Sequence, residues 1–195
     1  MATRKEQIEF IKTVYPAADK LHAAKDSLHP VFVTAQAALE TGWKIKGIGH
    51  NIFGITKGSW TGRTELVLTT EIFNSPYIAF KEPEKIVGIE KTADGRYRYR
   101  VYRLFRAYDT LEDCLDDHLK VLLSGGYADA WPYRNDPKEF ARRIVDGVGS
   151  KYATAPNYSA TMSSVIDTVN SRLDEIRNEI SADSPGGAVF FRLQG

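Results

Sequence analysis

Only one cysteine, Cys114, occurs in the chain, which excludes an intrachain disulfide and any multi-cysteine metal site. It falls among apolar residues at helical spacing, the setting of a buried, inert thiol. No apolar run approaches the length of a membrane span, so membrane insertion is not expected. The opening Met-Ala-Thr-Arg-Lys-Glu-Gln has no apolar core of the kind a secretory signal needs. If the substrate lies outside the cytoplasm, something other than a signal peptide in this sequence must deliver the protein. Charge of one sign is also missing. Lys and Arg total 26 against 25 Asp and Glu, a net charge of +1, so there is no global demand for nucleic acid or an anionic surface. Neither an internal repeat nor a low-complexity tract interrupts the chain.

What is present is enough apolar residue, 43% of 195, for one domain with a full core. The most organised stretch is Gln36-Ala37-Ala38-Leu39-Glu40-Thr41-Gly42-Trp43, followed by Asn51-Ile52-Phe53-Gly54-Ile55. A small-residue apolar helix carries one carboxylate to its last turn, stops at a glycine and leads into a loop rich in glycine and aromatics. A Glu at the negative end of the helix dipole, among Phe32, Leu39 and Trp43, has its ionised form disfavoured on two counts. A carboxyl still protonated near neutral pH suits general acid catalysis, as in glycosidic bond cleavage. The alternative is an ordinary solvated Glu ending a helix. Gln36, four residues earlier, shares the face of Glu40 and either contacts a ligand or faces solvent.

Apolar spacing predicts a first helix over Lys5 to Ala24, kinked or divided at Pro16. Asp26 or Ser27 then caps a second helix with Pro30 in its first turn. Lys44 to Ser59 holds four glycines and no periodicity, a loop carrying His50, Asn51 and Phe53 beside the end of that helix. His50 has no second ligand at metal spacing, so a hydrogen-bonding role is expected rather than a metal site. Glu65 to Phe73 reads as a strand, and Arg96 to Phe105 as a second one pairing with it after the Ala93-Asp94-Gly95 turn. The connection from Asn74 to Thr92 is either an excursion or an additional short strand. Arg96, Arg98, Arg100, Arg103 and Arg106 form either an anion-steering patch or a charge-laced solvent face. Further helices follow: one from a cap at Asp109-Thr110 with Cys114 and His118 on its apolar stripe, one opened by Asp136-Pro137, and a long last one from Asn157 or Ser159 to Ile180. The whole is a mainly helical domain over 1–180, with a small β lobe at about 62–105 and a tail over 181–195. A groove between the lobes would be faced by Glu40 from one side and by Glu71 from the other. Trp60, Tyr77, Phe80 and Tyr102 either stack on sugar faces or pack internally.

Four blocks in order resemble glycoside hydrolase family 73, the N-acetylglucosaminidase-type peptidoglycan hydrolases: Gln36 to Trp43, Asn51 to Gly58, Phe105-Arg106-Ala107-Tyr108-Asp109, and Lys151 to Tyr158. The resemblance implies an α+β, lysozyme-like fold with a glycan groove. It implies Glu40 as general acid and Glu71 as second carboxylate, with Glu65 on the same strand and of the same parity as the alternative. It places Tyr152 near the catalytic centre, and Gln36, Trp43, Asn51, Phe53, Tyr108 and Tyr158 along the substrate. The implied reaction cleaves the β-1,4 bond between N-acetylglucosamine and N-acetylmuramic acid with no metal or organic cofactor. A muramidase and a catalytically weak glycan-binding module are the competing readings. The chain departs from the family at Ala155, where relatives commonly carry an aspartate, and at Lys44, where a glycine is frequent. The implied partner is the peptidoglycan strand, reached by phage delivery, lysis or machine-dependent export. A cognate immunity or inhibitor protein would be added if the chain acts as an effector.

Overall fold

Residues 2–45, 48–124, 126–146 and 157–182 are described by the computed structural model. Helix α1 (Arg4–Lys25) starts at a capping box: the Thr3 hydroxyl accepts the Glu6 N–H at 3.2 Å, and the Glu6 carboxylate accepts the Thr3 N–H at 2.7 Å. Pro16 does not divide it. Ile8, Phe10, Ile11 and Val14 are buried before the proline and Ala18 after it, so packing on both sides offsets a lost backbone bond that costs about 3 kcal/mol.

Helix α2 (Pro30–Thr41) begins later than the sequence suggests. Asp26 instead closes α1 in the left-handed region, φ 46°, and its carboxylate binds Arg134. The cap of α2 is His29, whose Nδ1 accepts the Val31 N–H at 3.2 Å, with Pro30 filling the first turn. Burial, reinforced by nearby His22, holds the His29 pKa below its ordinary 6.5. Only unprotonated Nδ1 can accept, so the cap's contribution is complete above pH 6.5 and is lost as pH falls through the lowered folded pKa. His29→Ala is expected to lower stability by about 1 kcal/mol at pH 7.5, with His29→Ser restoring it. Chemical denaturation of the three proteins measures both effects.

After a loop, β1 (Thr64–Phe73), β2 (Lys85–Lys91) and β3 (Tyr97–Arg106) form an antiparallel sheet in the order β1-β3-β2. The β1–β3 register runs from Thr64 opposite Arg106 to Phe73 opposite Tyr97. The long connection proves to be both an excursion and a strand. Its first part, 74–84, arches over one face of the sheet, where the Tyr99 hydroxyl donates to the Ser75 carbonyl at 2.9 Å and accepts the Ile78 N–H at 3.2 Å. Phe73 and Phe80 meet the same tyrosine ring edge-on, and Tyr99 is fully buried as a result.

Helix α3 (Leu111–Ser124) is capped by the Thr110 hydroxyl, which accepts the Asp113 N–H at 3.1 Å. The Asp136 carboxylate caps α4 (Pro137–Asp146) through Lys138 and Glu139 N–H groups at 3.2 and 3.0 Å. Helix α5 (Tyr158–Ala182) packs on α1, α2 and α4. The shared core joins Phe10, Phe32, Leu115, Phe140, Met162 and Ile166, with Phe32 edge-on to Phe140 at 4.8 Å.

One buried polar knot fastens the sheet to this core. The Asp117 Oδ2 atom on α3 accepts from the Tyr108 hydroxyl at 2.6 Å and from Arg106 Nη1 at 2.8 Å. Arg106 Nε also donates to the Thr56 carbonyl at 3.1 Å. The knot thereby binds the end of β3, the loop after α2 and α3 in one network.

Candidate active site

Helix α2 is buried at nine consecutive residues, Pro30 to Ala38. It emerges only in its last turn, where Glu40 is solvent-exposed. Alanines on every side allow the close packing; the chain then turns away at Gly42 and Trp43, both left-handed at φ 61° and 66°, with the Trp43 N–H closing on the Ala38 carbonyl at 3.0 Å. Trp43 packs edge-on to Phe10 at 5.7 Å. Desolvation by the surrounding protein raises the Glu40 carboxyl above its ordinary range. The acid is thus reachable from solvent while protein crowds its remaining sides.

Beneath Glu40 lies a polar pair. Gln36 is fully buried and its Nε2 donates to the Tyr158 hydroxyl at 3.3 Å. Burial raises the Tyr158 pKa; the bond from Gln36 offsets part of the rise and the carboxylate of Glu40 adds to it. Tyr158 therefore remains a neutral phenol within electrostatic reach of Glu40. The Gln36 Oε1 atom is buried with no partner among the described residues.

The loop after α2 is held internally. Asn51 Nδ2 donates to the Ile55 and Arg106 carbonyls at 2.9 and 2.8 Å, and Oδ1 accepts the Ile55 N–H at 3.0 Å. Phe53 stacks on His118 at 3.7 Å and 10°. Burial lowers the His118 pKa to about 3, so the ring is neutral under ordinary conditions. The Gly49 carbonyl accepts the Tyr108 N–H at 2.7 Å. A side chain at Gly49 would meet Ala107 Cβ at 2.7 Å and Glu65 Oε1 at 3.0 Å, which accounts for the glycine at φ 44°. His50 is exposed at φ 57°.

The two β-lobe carboxylates differ in setting. Glu65 lies against Gly49, at the end of β1 nearest the loop. Glu71 is six residues farther along the strand, about 20 Å at ordinary strand rise. Both of its oxygens accept from Arg103 Nη1, at 2.8 and 2.7 Å. Beside Arg103 opens a cavity of about 620 Å³, bounded by Thr56, Lys57 and Gly58 on one side and by Phe73, Phe80 and Glu84 on another.

Several expected ligand contacts therefore sit deeper than the spacing suggests. Gln36, Asn51, Phe53, Tyr108 and Tyr158 are buried, and the polar groups of Asn51 and Tyr108 bind protein partners. Glu40 stands at the surface, Trp43 is half-buried and Tyr152 lies outside the described residues. Trp60 donates to the Arg63 carbonyl at 3.0 Å and packs on Tyr108, whereas Tyr77 is 89% exposed. Sequence reasoning did not single out Tyr127, Glu84 or Asp117, and it placed Arg103 only among the five arginines of the ribbon. Only Tyr127 had a visible cue, an aromatic directly after Gly125-Gly126.

A helical lobe, an inserted antiparallel sheet and an exposed carboxyl ending a buried helix give the chain a lysozyme-like build. Residues 15–171 match the glucosaminidase family, described as mannosyl-glycoprotein endo-beta-N-acetylglucosaminidase. The chain belongs to that family, glycoside hydrolase family 73. The peptidoglycan hydrolase FlgJ of Pseudomonas aeruginosa is 30% identical over 80% of this chain, and an autolysin of Enterococcus faecalis 28% identical over 93%. A probable N-acetylmuramidase of Lactococcus lactis subsp. lactis is 26% identical over 91%. The chain spans 35%, 22% and 37% of these relatives' lengths. A crystal structure of a peptidoglycan hydrolase mutant from Sphingomonas sp. A1 superposes with a TM-score of 0.62 at 28% identity, covering 86% of this chain and 99% of that one. No helix among the described residues is long and apolar enough to cross a membrane.

Proposed function

We propose that this chain hydrolyses peptidoglycan at the β-1,4 bond between N-acetylglucosamine and N-acetylmuramic acid, with Glu40 as the general acid. The observation that carries the reading is Glu40 itself, exposed at the end of a buried helix and raised in pKa by desolvation, in a chain that matches the glucosaminidase family. Protonated Glu40 donates to the glycosidic oxygen as the bond breaks, and positive charge builds on the sugar ring. Glu71 serves as the second carboxylate, stabilising that charge or activating water. A water attack assisted by Glu71 inverts the anomeric centre; attack by the substrate's own 2-acetamido oxygen retains it. Gln36 and Tyr158 support Glu40 from below, and the exposed ring of Tyr77 is available to a sugar face.

A second reading, cleavage of the alternate bond, draws on the muramidase name of the Lactococcus relative. Digestion of purified peptidoglycan, borohydride reduction and mass spectrometry of the fragments separate the two. Reduced N-acetylglucosamine ends are expected, while reduced muramic acid ends would overturn the choice of bond.

A further inference from the structure

We infer that Arg103 is a positioning residue for Glu71, held in register by the arch 74–84 through Glu84. The inference rests on the reading of Glu71 as the second carboxylate. Arg103 Nη1 donates to both Glu71 oxygens, at 2.8 and 2.7 Å, while its Nε donates to Glu84 Oε1 at 2.9 Å. Glu84 is itself fixed, because the same oxygen accepts the Leu104 backbone N–H at 2.9 Å. The Phe80 ring, also from the arch, lies 4.9 Å from the guanidinium carbon. The side chains of Arg103, Glu71 and Glu84 are only 18%, 25% and 16% exposed.

A guanidinium with a single carboxylate partner swings about a long flexible stem. One gripped on two edges by carboxylates and on its face by an aromatic ring has its plane fixed. Glu71 inherits that fixed plane. Each of its oxygens keeps a lone pair after accepting from Arg103, so the carboxylate remains able to meet water or a sugar. Other arginines of the lobe lack this arrangement: Arg96 and Arg98 each pair with one acid and are 51% exposed, where ion pairs contribute little. The arch thus carries Glu84 and Phe80 across the sheet to brace a side chain on β3 against an acid on β1.

The test compares Glu71→Gln, Arg103→Met, Arg103→Lys, Glu84→Gln and the double variant Arg103→Met/Glu71→Gln in turnover of purified peptidoglycan, with thermal melting as a check on folding. Arg103→Met is expected to lower kcat by about 30–100-fold, the scale of a misplaced catalytic group, with KM changed less than about threefold. Arg103→Lys recovers part of the loss, and Glu84→Gln loses about 5–10-fold because the brace is weakened and not removed. The double variant should match Glu71→Gln alone. Losses that multiply, or Arg103→Met with wild-type kcat while Glu71→Gln is impaired, overturn the positioning role and leave Glu71 in place. A fully active Glu71→Gln overturns the second-carboxylate reading and this inference with it. If Arg103→Met does not fold, the loss in Glu84→Gln must vanish in the Glu71→Gln background.

Discussion

Glu40→Gln is expected to lower peptidoglycan turnover by about 10²–10⁴-fold, the usual contribution of a general acid, without lowering the melting temperature at pH 7. Glutamine keeps the shape of the side chain at a position that accepts no hydrogen bond from the described residues, but it has no proton to give. The stability half follows from the direction of the pKa shift. Desolvation raises the Glu40 pKa in the folded protein, so folding favours the protonated form. Its relative stabilisation is present below the ordinary carboxylate range and disappears as pH rises through the raised folded value. Above that value the wild type carries a charge its surroundings disfavour and the amide does not. Activity moves the same way, since the competent form is the acid: kcat falls as pH rises through the Glu40 pKa. Retention of more than a tenth of wild-type turnover by a folded Glu40→Gln protein would remove Glu40 from the mechanism.

Asp117→Ala is the substitution expected to damage the fold most. It leaves Arg106 and the Tyr108 hydroxyl without their shared acceptor in a region where Asp117 is 7% exposed and Tyr108 3%. Breaking a buried pair by removing one partner costs about 3–5 kcal/mol, which lowers the melting temperature of a domain this size by roughly 10 °C. Burial and the bond to Asp117 both raise the Tyr108 pKa, so the phenol stays a donor throughout the working pH range. Differential scanning calorimetry of Asp117→Ala and Asp117→Asn tests the point; the amide retains an acceptor and should lose less. A shift under about 2 °C for the alanine variant would show that the knot contributes little. Activity should fall as well, because Arg106 also holds the Thr56 carbonyl and Asn51 holds the Arg106 carbonyl, tying the knot to the loop beside Glu40.

Helix positions, the pairing of two strands and the placement of Glu40 were legible because each depends on local spacing. Ile8, Ile11 and Val14 mark a face whatever they pack against, and a glycine after a helical glutamate marks an end. The braces were not legible. Arg103 and Glu71 are 32 residues apart, and Arg106 and Asp117 are 11 apart on different elements. In sequence these arginines are indistinguishable from a solvated face, and only the strand register and the arch decide which are buried and paired. The internal bonds of Asn51 and Tyr108 were hidden for the same reason: a polar side chain near the end of α2 looks alike in sequence whether it points outward or closes a loop. His29 escaped notice as a cap because its acceptor is a ring nitrogen whose availability depends on burial.

The long burial of α2 constrains how this chain can change over generations. Nine adjacent positions without surface leave little room for drift, so related chains would keep the whole segment whether or not they retained the chemistry. Invariance there reports on architecture, and a descendant that had become a mere binder would still display a nearly intact Pro30 to Ala38. The informative letter is Glu40, exposed just past that stretch, where selection for packing does not act and selection for the proposed proton transfer would.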